Sequence, residues 1–303
     1  MSPCGNVRPD WLEQGIERIH AMGFRTLVGE HVLDQNGYLG GTDEARAADF
    51  NAMWANPEVQ GIISSKGGYG SMRMLQGVDW DLVRSRPLFF CGFSDITGLH
   101  LAIQKEANLV TFHGPMITGW GAARAYNTAN FLRAATSTAP LGEIPWPTED
   151  EMYGIESARP QLLTIRGGKA QGRLVGGNLS LIHGLMGTPW EIDLTDTILM
   201  MEDVEEAPYR VDRFLTQLLL SGKMAGVRGI IFGDSPSCTD EVPGRPPIEQ
   251  VVADRLGGLG IPVFYGYPSG HTGYRATLPL GVQVEIDADN GTLTVLESAT
   301  VTD

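Results

Sequence analysis

Strand-like apolar runs alternate with helical patterns through the first part of the chain, and this alternation limits the possible folds more than any motif does. The spacing predicts helices over 10–22, 43–55 and 95–105, the first stopped by Gly23, and strands over 26–29, 61–65, 88–91 and 109–112. Strand–helix–strand units in series cross over right-handedly, so the expected class is α/β, with a Rossmann-like parallel sheet covered by helices on both faces. Ligands of such sheets gather at the carboxyl ends of the strands. Residues 136–160 carry Pro140, Pro145, Pro147 and Pro160 among several acidic residues with little periodicity, which marks a linker. Beyond it the pattern is richer in strands. A hairpin is expected over 161–175 turning at Gly167-Gly168, with strands over 198–201, 229–232 and 263–265 and a terminal hairpin turning at Asp289-Asn290-Gly291. Helices are expected over 208–220 and 248–256. The organisation read from this is an N-terminal α/β domain over 1–135, a linker over 136–160 and a smaller, β-rich mixed domain over 161–303.

A chain of 303 residues exceeds the comfortable size of one core, which agrees with two domains. Its formal charge of −14 argues against nucleic acid or an anionic membrane as partner, since both require a basic surface, and favours a small peptide or other small molecule. No apolar run reaches the ~18 residues of a spanning helix, and neither an anchor nor a signal peptide is expected. Cys4, Cys91 and Cys238 are odd in number and scattered, which suggests free thiols in a reducing compartment, the cytoplasm. No dinucleotide fingerprint, Walker loop or metal-ligand spacing is present, so no cofactor and no metal are expected. The expected assembly is a homodimer.

The string Phe89-Phe90-Cys91-Gly92-Phe93-Ser94-Asp95-Ile96-Thr97 runs a buried strand through a sharp turn into a helix, with Ser94 at the apex. A serine there is either a nucleophile facing the first helical amides or an N-cap; the spacing Gly-x-Ser-x-x-x-Gly differs from the Gly-x-Ser-x-Gly elbow. A serine nucleophile needs a base and a carboxylate that orients it. Of the six histidines, His20, His31 and His183 have ordinary surface or packing explanations, and His100 is too far along the helix from Ser94, on the wrong face. His113 follows a strand and could line the cleft or simply pack. His271, between Gly270 and Thr272-Gly273 on a loop, is the first choice for the base. Glu202-Asp203 closes the apolar run 198–201, and Glu202 comes straight off its buried end. Gly67-Gly68-Tyr69-Gly70 could offer backbone N–H donors, and Asn178 could be a helix cap or a substrate ligand.

Taken together, the ordered motifs Lys66-Gly-Gly-Tyr-Gly70, Gly92-Phe-Ser94-Asp-Ile-Thr97, Thr111-Phe-His-Gly-Pro115, Gly176-Gly-Asn-Leu179, Gly187-Thr-Pro-Trp190, Met201-Glu202-Asp-Val204 and Gly270-His271 resemble the L,D-carboxypeptidases. These serine peptidases trim muropeptides, and their family includes the microcin C immunity peptidases. The resemblance spans nearly the whole chain. It implies Ser94 as nucleophile, His271 as general base, Glu202 as the residue orienting it, and the amides of Gly68 and Asp95 as the oxyanion hole. It implies further that the substrate is a muropeptide tetrapeptide losing its terminal D-alanine, with Lys66, Asn178 and His113 as candidate substrate-binding residues. The alternatives are an immunity-type amidase acting on a nucleotide-peptide and, in another class, a non-catalytic peptide-binding protein, which would have no use for a spaced Ser, Glu and His. Lys66 stands where the family usually has arginine, which weakens any bidentate carboxylate contact. The relatives also carry an apolar strand ahead of the Ser2-Pro3-Cys4 start, so the first central strand is expected to be absent or the start codon misassigned.

Overall fold

The computed structural model describes residues 1–122, 124–152, 161–240 and 242–301. Two sheets organise it. The first contains β1 (Gly61–Ile63), β2 (Phe89–Gly92) and β3 (Thr111–His113), which run parallel in that order, followed by β10 (Leu278–Leu280), antiparallel to β3. The second has eight strands. Its centre is β6 (Lys169–Asn178), β7 (Thr197–Glu202), β8 (Val227–Gly233) and β9 (Val263–Tyr267), all parallel neighbours. On one side β6 is flanked in turn by β11 (Gln283–Asp287), β12 (Thr292–Val295) and β4 (Gly142–Glu143); beyond β9 lies β5 (Leu163–Arg166). The protein is thus mixed α/β, and the first sheet is parallel, as the pattern predicts, in all but its edge strand β10.

Local chemistry explains the main helices. Thr42 caps the helix Asp43–Ala55 by accepting the Ala45 N–H, and Asp43 and Glu44 complement its first-turn dipole. Pro9 and Pro208 open the helices Pro9–Ala21 and Pro208–Leu220, where a missing N–H costs nothing. One continuous apolar cluster runs from Phe50 and Trp54 through Phe90 and Leu99 to Leu199, Met201 and Phe232, so both sheets share a core. Burying a side chain of this size contributes roughly 1.5–3 kcal/mol.

Three expectations need correction or completion. The segment 26–29 joins no ladder: Leu27 is 59% exposed and Val28 46%, and β-propensity without a neighbouring strand does not make a strand. The run 161–175 is not a hairpin. Its strands β5 and β6 both form, but β5 pairs with β9, four strand positions from β6. A flat sheet would separate those positions by about 19 Å, more than Gly167-Gly168 can span, so the second sheet must curl. The segment expected as a linker contributes β4 to the second sheet through β12, and its residues 153–160 lie outside the described residues.

The carboxyl ends of β2, β3, β7 and β9 lead into Ser94, His113, Glu202 and the loop that holds His271. The helix Thr97–Ala107 follows Ser94 and packs against β6 and the helix Leu179–Leu185, bringing the two sets of strand ends together.

Candidate active site

Phe93 is extended (φ −150°, ψ −173°), after which Ser94 turns sharply into the left-handed region at φ 64°. A non-glycine residue held there costs about 1–3 kcal/mol and persists only where the surroundings enforce it. The single turn Ser94–Ile96 then leads into the helix Thr97–Ala107. The N-cap positions of these two segments are Phe93 and Ile96, so Ser94 does not stand at a cap position. Its hydroxyl lies 3.0 Å from His271 Nε2 and, in the tautomer with a bare Nε2, donates to it.

The other face of the ring completes a chain of hydrogen bonds. His271 Nδ1–H donates to Glu202 Oε2 at 2.7 Å. Glu202 is the last residue of β7, wholly buried, and faces Asn178 across the parallel ladder. Burial by itself pushes its carboxyl up, but the nearby imidazoles of His271 and His113 outweigh this and hold it below the usual carboxylate range. Gly270 makes the contact possible. Its φ is +88°, and a Cβ at this position would sit 2.3 Å from Glu202 Oε2. We therefore expect Gly270→Ala to displace the His271–Glu202 pair and lower turnover by about 10²-fold, since small misplacements at reacting groups are that costly. Wild-type turnover in a folded Gly270→Ala variant, checked by steady-state kinetics beside a thermal melt, would contradict this.

The sequence did not reveal Arg275. Its guanidinium donates to the carbonyls of Gly270 (2.5 Å) and Thr272 (3.3 Å), clasping the loop on both sides of His271, and lies 3.9 Å over the Phe93 ring. Desolvation lowers its pKa to about 10, so it stays cationic at neutral pH. Phe93 in turn meets the His271 ring at 4.9 Å. The available signal was an arginine four residues after a loop histidine, which is too common to act on.

The remaining candidates divide clearly. Gly67 lies against the serine: a Cβ there would come within 3.0 Å of Ser94 Cβ and 3.1 Å of Oγ, so the Gly67-Gly68 turn closes over the hydroxyl. Asp95 is buried, its Oδ2 accepting the Ser71 N–H at 2.7 Å, which fixes the backbone just after Ser94. Lys66 adjoins this turn and borders a small pocket with Asn6, Arg8, Trp11 and Gln35. Asn178 caps the helix Leu179–Leu185, accepting the Leu181 N–H and donating to Asp203 Oδ1 at 3.0 Å. His113, which by its sequence could line the cleft as a substrate-binding residue or simply pack, packs: it has no exposed surface, and its Nε2 lies 3.9 Å from Glu202 Oε1.

The other histidines sit as the elimination predicts. His100 is buried on the Gly92 carbonyl at 2.9 Å, and burial pushes it down to about 3. His183 bonds Gln217, His20 bonds Thr26, and His31 bonds Asp34. All three cysteines are buried and free, and burial pushes the Cys238 thiol up to about 12. Among the described residues no group of three or more His, Cys, Asp or Glu could hold a metal, and no helix is long and apolar enough to cross a membrane.

A serine hydroxyl, an imidazole and a buried carboxylate in hydrogen-bonded series can perform nucleophilic acyl transfer. Known proteins resemble the chain over nearly its whole length. The chain is 39% identical over 300 residues to a Streptomyces coelicolor protein provisionally named a carboxypeptidase, covering 97% of this chain and 91% of that one. It is 30% identical to the microcin C7 self-immunity protein MccF of Escherichia coli, covering 94% and 87% of the two chains. Among solved structures, MccF superposes with a TM-score of 0.90 at 27% identity, covering 99% of this chain and 96% of that one. The muramoyltetrapeptide carboxypeptidase of Oxalobacter formigenes does so with 0.85 at 28% identity, covering 99% and 98%. Residues 1–114 match the LD-carboxypeptidase N-terminal domain and residues 171–286 its C-terminal domain, so the two halves that meet at Ser94, Glu202 and His271 are those of one family, and the chain belongs to the LD-carboxypeptidases.

Proposed function

We propose that the protein is a serine-type L,D-carboxypeptidase that releases the terminal D-alanine from muropeptide tetrapeptides. The observation that carries the reading is the hydrogen-bonded series Ser94–His271–Glu202, assembled from three separate strand ends. Ser94 Oγ attacks the carbonyl between the L-centre of the diamino acid and D-alanine while His271 Nε2 takes its proton. The same imidazole returns the proton to the leaving amine, and Glu202 holds the ring in the productive tautomer. Water then enters and releases the acyl group by the reverse use of the same base. The amides of Gly68 and Asp95 receive the oxyanion; one such donor is typically worth ~10²–10³ in turnover. A small peptide as partner, a cytoplasmic location, homodimeric assembly and a domain division at 136–160 belong to the same reading.

A carboxypeptidase must also read a free terminal carboxylate. In this acidic protein Lys66, beside the Gly67-Gly68 turn, is the cation placed to favour one. The free-acid tetrapeptide is therefore expected to be cleaved with a kcat/KM about 10²-fold or more above that of its C-terminal amide, because a site built for a charged group rejects the analogue lacking it. Equal values would favour a second reading, an immunity-type amidase. That alternative is supported by the similarity to MccF, one solved structure of which is a complex with glutamyl sulfamoyl guanosine at 26% identity to this chain.

A further inference from the structure

We propose that His113 is a positioning residue that holds the Glu202 carboxylate from behind, its Nε2–H directed at Oε1 while His271 occupies Oε2. The inference rests on the reading of Ser94, His271 and Glu202 as catalytic. Glu202 Oε1 and His113 Nε2 face each other at 3.9 Å inside the core; neither residue has exposed surface, and neither atom has another hydrogen-bond partner among the described residues. A buried ionised oxygen without a donor is costly, so the pair is each atom's available remedy. The gap is longer than a formed hydrogen bond, and contacts of this kind tighten when the substrate complex forms.

The tautomer follows from Glu202, because an ionised carboxylate oxygen only accepts and so calls for a proton on the Nε2 that faces it. In that tautomer the bare Nδ1 can accept from Ser269 Oγ, 3.4 Å away on the far side of the ring. Ser269 is itself buried and stands two residues before His271, so one loop supplies both the base and the group that orients the second imidazole. Backbone pairing fixes His113 on both sides, against Gly92 in β2 and Leu278 in β10. The charged or titratable groups around the pair are His271, Arg275, Asp203, His100, Cys91 and Cys238. Arg275 is committed to the loop carbonyls and Asp203 to Ser180 and Asn178. His113 transfers no proton in this scheme. It spreads the carboxylate charge toward Oε1 and fixes its plane.

A donor on Oε1 takes up charge that would otherwise stabilise the His271 imidazolium. Removing it therefore raises the pH at which His271 titrates and lets the carboxylate rotate. The test is an NMR titration of the His271 ring in wild type, His113→Phe, His113→Gln and His113→Asn, paired with kcat and KM on the tetrapeptide. In the Phe variant the His271 midpoint is expected to rise by about half a unit or more, with kcat lower by about tenfold and KM little changed. Glutamine reaches about as far as Nε2 and asparagine only as far as Nδ1, so Gln should restore both readouts and Asn should not. If the Phe variant does not fold, the Gln–Asn contrast decides alone. An unchanged His271 midpoint in a folded Phe variant, or Gln and Asn behaving alike, overturns the inference. Failure of wild type to cleave the tetrapeptide would instead overturn the functional reading, and the titration would still judge His113.

Discussion

Replacing Ser94 by alanine is expected to lower turnover by a factor on the order of 10⁶, the scale seen when the nucleophile of a cooperating triad is removed. The side chain is only partly buried and, among the described residues, hydrogen-bonds only to His271, so little packing depends on it. The variant should therefore melt near the wild-type temperature and still bind substrate. Retention of more than about a hundredth of wild-type turnover would be incompatible with Ser94 as nucleophile, since the oxyanion donors and binding alone leave far less.

The second large effect is expected at Glu202. Glu202→Gln keeps the volume but offers an amide where His271 Nδ1 now finds an acceptor, which favours the tautomer with its proton on the nitrogen that should receive it from Ser94. In the serine-protease template the equivalent change lowers turnover by about 10⁴, and a similar loss is expected here. Stability should respond in a defined direction too. The folded-state pKa of Glu202 lies below that of an unfolded glutamate, so its contribution is fully present above about pH 4.3 and is lost as pH falls toward the folded value. Thermal melts across that range should show wild type losing stability in acid more steeply than Glu202→Gln. Parallel curves would mean that the carboxylate is not held as an anion by its two histidines.

What could be read from the sequence follows from where its signals are local. Ser94, Glu202 and the strands behind them were legible because each ends an apolar run, and a residue leaving a buried strand is fixed in direction by the ladder. His271 emerged from comparing six histidines and from the glycine before it, whose missing Cβ the structure shows to be necessary. Partner choice between distant segments was not legible. Alternation can identify β5 as a strand but cannot tell that it pairs with β9, and a Gly-Gly link reads as a hairpin turn whether the sheet is flat or curled. The segment 26–29 failed for the complementary reason: a strand exists only with a neighbour. His113 and Arg275 were misplaced or missed because their contacts join segments more than 80 residues apart or depend on a turn geometry that composition does not encode.

The central claim, hydrolysis of an L,D-peptide bond by Ser94, is tested most directly by mass spectrometry of a muropeptide tetrapeptide and an aminoacyl-sulfamoyl nucleotide, each incubated with wild type and Ser94→Ala. The account predicts that wild type converts the tetrapeptide to tripeptide and free D-alanine, that the nucleotide conjugate is cut far more slowly, and that the variant leaves both intact. An intact tetrapeptide beside a cleaved conjugate would contradict the substrate, and tripeptide formed at the wild-type rate by Ser94→Ala would contradict the chemistry.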